Sequence, residues 1–331
     1  MITYNNFMSS DYHTLVELIE QGKIPPGKVE QAVAVAGITP LKQSWRNFID
    51  LLLLWLGSLS LVFSVMFFIA YNWDDIGRFA KFGMVEVLIV LAVLGYWKLG
   101  ERRVVGQVSL VAATIFLGVL LALYGQTYQT GADPWQLFMN WALLSLPWVL
   151  VGRFSVLWIV WLALVNLSII LYFRAFPAGF GLLFHWGTGM LWGLFLLNIL
   201  AQALWELAAR RWTWLDQRWA VRLIAVVAGY AITWLTMMAI FDWEDVTPVA
   251  GFMWLIWIVA MVYIYQFLIR DLFMLTGCCL SAIIVVTSFL SKHLLMQAEA
   301  TGALLIMAFL VIGMGAVSII WLKKVHHRWQ A

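Results

Sequence analysis

Charge is what this sequence has least of. Only 11% of its 331 residues are Asp, Glu, Lys or Arg, whereas 64% are hydrophobic and 16% aromatic. So little polar surface cannot clothe a water-soluble globule of this size, and lipid is the expected main solvent. Cysteine is scarcer still. Cys278 and Cys279 stand side by side in an apolar segment, which suits neither a disulfide framework nor zinc spacing. They read as small free thiols packed in a helix. Nowhere do dense basic residues mix with aromatic platforms, so nucleic acid is not an expected partner. A P-loop, a dinucleotide fingerprint, a Gly-x-Ser-x-Gly elbow and a His-Glu-x-x-His pair are missing too, so soluble-type nucleotide or hydrolase chemistry is not expected. The residues suggest no catalytic group, no cofactor and no metal.

What the chain has in abundance is long apolar runs. About twenty residues at 1.5 Å rise cover a ~30 Å hydrocarbon core. Ten such spans are expected, at 48–71, 79–99, 104–124, 136–151, 154–173, 182–207, 220–241, 249–269, 272–290 and 300–322. The fold class is therefore all-α, a polytopic membrane bundle of about ten helices. The fourth span is short and holds Asn140 and Pro147, so a re-entrant segment is its alternative. Before the bundle, 1–45 reads as a cytoplasmic helical hairpin. Leu15, Leu18 and Ile19 share one helical face, and Val29, Ala32, Val33 and Ala36 share another. The membrane domain is 46–324 and a basic cytoplasmic tail is 325–331. No cleavable signal peptide is expected, because the first apolar run is too long and too late.

Sorting cations by loop tests the count. One side receives Lys23, Lys28, Lys42, Arg46, Lys98, Arg102, Arg103, Arg153, Arg210, Arg211, Arg218, Arg222, Arg270, Lys323, Lys324 and Arg328; the other receives only Arg78, Lys81, Arg174 and Lys292. The positive-inside rule then places both termini in the cytoplasm. Acidic residues collect on the far side as a rim: Asp74, Asp75, Asp133, Asp242, Glu244, Asp245 and Glu299. Two stretches of that rim match. Asn72-Trp73-Asp74-Asp75 and Asp242-Trp243-Glu244-Asp245 align at one offset, which within a residue also brings Glu101 onto Asp271 and Thr130-Gly131-Ala132 onto Thr301-Gly302-Ala303. A parallel internal repeat of spans one to four in spans seven to ten would explain this.

Polar residues inside spans are informative because an ionisable group in hydrocarbon costs several kcal/mol unless paired or hydrated. Glu86 lies two turns into the second span. Its partners are expected among Gln107, Asn140, Asn166, His185, Asn198 and Gln202, and a structural carboxyl and a functional one are equally open. His185 reads as a satisfied donor more readily than as a metal ligand. The stretch 124–135 is rich in amides and hydroxyls, and either caps a turn or lines a polar vestibule with Trp73 and Asp74. The candidate rim site is thus Trp73, Asp74, Asp75, Gln126, Tyr128, Asp133, Trp243, Glu244 and Asp245, with Glu86 as a separate intramembrane site.

A helical prelude, Ala70-Tyr71-Asn72-Trp73-Asp74 closing the first span, then Gly125-Gln126-Thr127-Tyr128, Gly131-Ala132-Asp133 and a span with Trp141 and Pro147 resemble a bacterial family of predicted membrane proteins, domain of unknown function twenty-one-fifty-seven. The resemblance covers about the first half of the chain. It implies an inner-membrane location and carries over no catalytic residues. Function divides into a non-catalytic envelope accessory or binding protein, a secondary transporter of a cation, proton or cationic solute using Glu86, and a lipid-carrier-dependent glycosyl transferase. Scarce external cations argue against the last, and a channel lacks any filter signature. The expected partners are membrane lipids, an envelope protein and a small cationic ligand.

Overall fold

The structure, a computed structural model, describes residues 15, 17–35, 42–72, 75–100, 104–176, 188–241, 249–297 and 300–330. Nearly all of these residues are helical, as the apolar runs predict, and the rest form short turns. A short helix, Val29–Val35, precedes ten long ones: α1 (Lys42–Tyr71), α2 (Arg78–Leu99), α3 (Val104–Tyr128), α4 (Pro134–Gly152), α5 (Ser155–Ala175), α6 (Gly189–Ala209), α7 (Arg218–Phe241), α8 (Val249–Tyr263), α9 (Leu272–Gln297) and α10 (Ala300–Gln330). Among the described residues nine of these are long and apolar enough to cross a membrane; α4, with its internal Pro147, is the one outside that group. The chain is a polytopic helical membrane bundle.

Two compact units divide it, one of 1–130 with 150–152 and one of 131–149 with 153–331. In the first, α3 is the hub. Half of its apolar window is buried, against 11% for α1 and for α2. Val62 and Ile69 of α1 and Val85 of α2 pack on Phe116, Val119 and Leu123 of α3. The α2 helix is closed off at Gly100. Gly100 takes a φ of 78°, open to glycine at no steric cost, and its N–H closes on the Tyr96 carbonyl at 2.8 Å. Gly106 then passes so near that a Cβ there would lie 2.5 Å from the Gly100 carbonyl oxygen.

In the second unit α7 is the hub, with buried Ala220, Ala225, Ala228 and Ala231 letting neighbouring backbones approach closely. Asn166 of α5 and Asn198 of α6 clasp side chain to side chain: Asn198 Nδ2 donates to Asn166 Oδ1 at 2.5 Å and Asn166 Nδ2 returns to Asn198 Oδ1 at 3.3 Å. Further bonds join α4 to α5, from Trp161 Nε1 to the Ala142 carbonyl and from Ser168 Oγ to the Trp135 carbonyl.

Three sets of bonds gather the connections of this unit at one end. Ser155 Oγ donates to the Trp214 carbonyl at 3.1 Å, Arg218 and Arg222 reach Asp271, and Trp329 Nε1 donates to the Gln266 carbonyl at 3.1 Å. That end carries Arg153, Arg210, Arg211, Arg218, Arg222, Arg270, Lys323, Lys324 and Arg328 against Glu206, Asp216 and Asp271.

Some expectations need adjusting. The tail expected from Val325 is no separate segment, since α10 runs unbroken to Gln330 with Val325 buried in the core. Thr130, Gly131 and Ala132 form an extended turn with Gly131 at φ 63°, whereas Thr301, Gly302 and Ala303 are helical. The hub is the third helix among α1 to α4 but the first among α7 to α10. Helix packing therefore does not follow the proposed duplication, which rests on the sequence matches.

Candidate functional site

Of the ten residues singled out from the sequence, Trp73, Asp74, Trp243, Glu244 and Asp245 lie outside the described residues, as do His185 and Glu101. Asp75 is exposed in the turn between α1 and α2. Gln126 and Tyr128 are exposed on the last turns of α3, and Asp133 is half-buried just before α4. Tyr128 meets Tyr124 at 4.9 Å between ring centroids and Phe82 at 6.2 Å. The end of α3 is thus an aromatic patch rather than a row of free amides. Glu86 is exposed on α2, beside exposed Val87, Val90 and Leu91. Three groups expected to serve it are engaged elsewhere: Asn166 and Asn198 with each other, and Gln202 with Tyr265.

The strongest polar constellation was not anticipated. It occupies the basic end of the second unit and starts from residues spaced four apart, which share a helix face. Gln202 and Glu206 are one such pair on α6, and Arg218 and Arg222 another on α7. A third partner comes from a break in the chain. After α8, residues Ile264–Leu268 form a π-helical turn, whose extra residue shifts the helical register and turns Tyr265 into the core at 1% exposure. Arg270 then takes a left-handed φ of 54°, and Asp271 caps α9 by accepting the Phe273 N–H at Oδ1, 3.0 Å.

These pieces close into a chain. Gln202 Nε2 donates to the Tyr265 hydroxyl at 2.8 Å, and that hydroxyl donates to Glu206 Oε1 at 2.8 Å. Glu206 accepts Arg218 Nη1 on both oxygens at 2.9 Å. Arg218 Nε and Nη2 reach Asp271 Oδ2 at 3.2 and 3.1 Å. Arg222 grips the same carboxylate as a fork, Nε to Oδ2 at 3.1 Å and Nη2 to Oδ1 at 3.0 Å. The Asp271 side chain is 1% exposed, those of Arg218 and Glu206 are 12% and 14%, and that of Arg222 is 36%. Two guanidinium groups face two carboxylates, so the buried cluster is neutral as a whole. A guanidinium does not give up its proton in a protein, and the carboxylates are engaged, Asp271 accepting five N–H bonds and Glu206 accepting three bonds from Arg218 and Tyr265. This arrangement suits fixing helix ends and presenting the outer edge of Arg222, not proton transfer.

Next to it lies an apolar groove of about 370 Å³, flanked by α7 and α9 and floored by Trp257 and Met261 of α8. Phe273 links the two features: its ring lies 5.3 Å below the Arg222 guanidinium and also lines the groove. Among the described residues no three His, Cys, Asp or Glu side chains converge as metal ligands do.

Fold and site together define a polytopic helical membrane protein with a buried ion-pair cluster at one end. Residues 16–158 match the family model for "Predicted membrane protein (DUF2157)", a stretch that holds Ala70–Asp74, Gly125–Tyr128, Gly131–Asp133, Trp141 and Pro147, on which the sequence resemblance rests, and part of the helical prelude. No curated protein and no solved structure matches the chain.

Proposed function

We propose that this protein is a non-catalytic accessory or binding protein of the bacterial inner membrane that holds a partner polypeptide in the envelope. The position of Glu86 carries this reading. It stands eight residues beyond Arg78, about 12 Å along α2 at 1.5 Å per residue, deep enough to reach the hydrocarbon. A carboxyl group there costs several kcal/mol unless something pairs with it, yet it faces outward among exposed valines and leucines. A helix of another chain, bearing a cation or an amide at the same depth, would meet that need. The cation-transporter reading draws less support, because it wants Glu86 on an internal path.

The expected result is recovery of a stoichiometric membrane partner with the full chain in mild detergent, cross-linked through a photoreactive residue at Val90. Glu86→Leu should cut that recovery about five- to thirtyfold, roughly what a loss of 1–2 kcal/mol gives in a membrane interface. Glu86→Gln, which keeps hydrogen bonding, should retain a good part of it. Undiminished recovery with the leucine variant would remove the basis of the proposal.

Orientation belongs to the same reading. The basic end of the second unit carries the α4–α5, α6–α7 and α8–α9 connections and the last turns of α10, and the positive-inside rule assigns such an end to the cytoplasm. A phosphatase reporter fused after Ala331 should therefore be inactive, and a fluorescent protein there bright; the reverse pattern would invert the topology.

A further inference from the structure

We propose that the groove between α7 and α9 is a binding site for one acyl chain of an anionic phospholipid, whose phosphate sits at the outer edge of Arg222.

Its length fits one leaflet. Arg222, Val226, Tyr230 and Trp234 follow one another at four-residue intervals along one face of α7, about 18 Å from first to last. Half of a ~30 Å hydrocarbon core is about 15 Å. The opposite wall is Phe273, Gly277 and Leu280 of α9, and the rims of both walls are exposed. The groove is lined on α7 from Ala225 to Met237 and on α9 from Phe273 to Ile284, so it starts beside Arg222 and gives out before the far end of each helix.

Its floor calls for hydrocarbon. The hydroxyls beneath it are used up in a relay: Trp254 Nε1 lies 2.9 Å from Ser281 Oγ, Ser281 lies 2.6 Å from Thr233 Oγ1, and Thr233 donates to the Gly229 carbonyl at 2.6 Å. Neither hydroxyl keeps a proton to donate to a polar solute.

Its mouth calls for negative charge. Arg222 spends Nε and Nη2 on Asp271 and keeps Nη1 clear of that fork, at the half-exposed edge of the cluster. Around it this end carries nine basic residues and three acidic ones. The paired carboxylate holds the guanidinium in one orientation, so it meets a phosphate already positioned.

Native mass spectrometry of the full chain, delipidated in mild detergent and then given equal amounts of dioleoyl phosphatidylglycerol and dioleoyl phosphatidylcholine, tests this. One phosphatidylglycerol per chain should be retained, with roughly fivefold preference over phosphatidylcholine, the selectivity that one arginine supplies for a headgroup of net negative charge over one whose phosphate is balanced by choline. Arg222→Gln should erase the preference. Because Arg222 also contributes to the cluster, a second variant leaves it alone. Nothing lies within 4 Å of a Cβ at Gly277, so Gly277→Leu extends into the groove and should lower retention of both lipids severalfold. Glycerol phosphate without chains should not compete. Equal retention of the two lipids by the unaltered chain, undiminished retention in Gly277→Leu, or displacement by glycerol phosphate would each overturn the assignment.

Discussion

Asp271→Ala is expected to lower the stability of the second unit by about 3–5 kcal/mol, the usual consequence of removing one partner from a buried ion pair. The side chain is 1% exposed and receives four N–H bonds from two arginines besides capping α9. Its loss leaves Arg222 with no carboxylate and Arg218 with only Glu206. The cap adds about 1 kcal/mol to the loss. The pairing itself is not what makes the unit stable, since an apolar cluster of the same volume often does as well. Glu206→Gln, Arg218→Met, Arg222→Leu and Asp271→Leu combined, which removes all four charges of the cluster together, should therefore cost less than Asp271→Ala alone. Thermal unfolding in mild detergent, followed by near-ultraviolet circular dichroism, measures both. A loss below about 1 kcal/mol for the single change would mean that water already reaches Asp271.

Gly106→Leu should destabilise the first unit by about 1–3 kcal/mol or more, the range for side chains forced into filled space. Even the first added carbon would meet the Gly100 carbonyl oxygen at 2.5 Å, and that oxygen cannot easily step aside. Gly100 is held by its own bond to Tyr96 and by its left-handed backbone, while Tyr96 is tied in turn to the Val151 carbonyl at 3.3 Å. The α2–α3 hairpin has to open, and with it the contacts of Val85 on Phe116 and Val119. Gly277→Leu, at an open site, serves as the control for helix propensity. Loss of proteolytic protection in 78–128 would locate the damage, and a variant as resistant as the parent would show that the hairpin has room to spare.

Sequence pattern revealed the helices because hydropathy decides them. Runs of Leu, Val, Ile and Phe have no alternative in lipid, and all ten predicted spans coincide with long helices to within a few residues at most ends. The extensions of α9 to Gln297 beyond 290 and of α10 to Gln330 beyond 322 are the larger departures, and the start expected near 182 lies outside the described residues. Site residues were harder to see, for a specific reason. Arg218, Arg222 and Asp271 were counted as loop charges, since a cation at a span end is most often a topological marker. What distinguishes them is position in three dimensions: pairs four residues apart on α6 and α7 converge with an aspartate 49 residues from Arg222. Gln202/Glu206 and Arg218/Arg222, two such pairs flanking one short connection, were the available clue. The π turn that brings Tyr265 inward left no comparable mark. Asn166 and Asn198 were noticed as polar residues in apolar spans, but single residues do not announce which helix they will meet.

The sharing of Asp271 also has a consequence for biogenesis. Arg222 leaves the ribosome 49 residues ahead of the carboxylate it pairs with. At about 5–20 residues per second that is a delay of roughly 2–10 seconds, during which the newly inserted α6–α7 hairpin holds both of the cluster's guanidinium groups but only one of its two carboxylates. The nascent hairpin is then a half-built object, docked at the lipid headgroups by its surplus cation until α9 arrives to neutralise it.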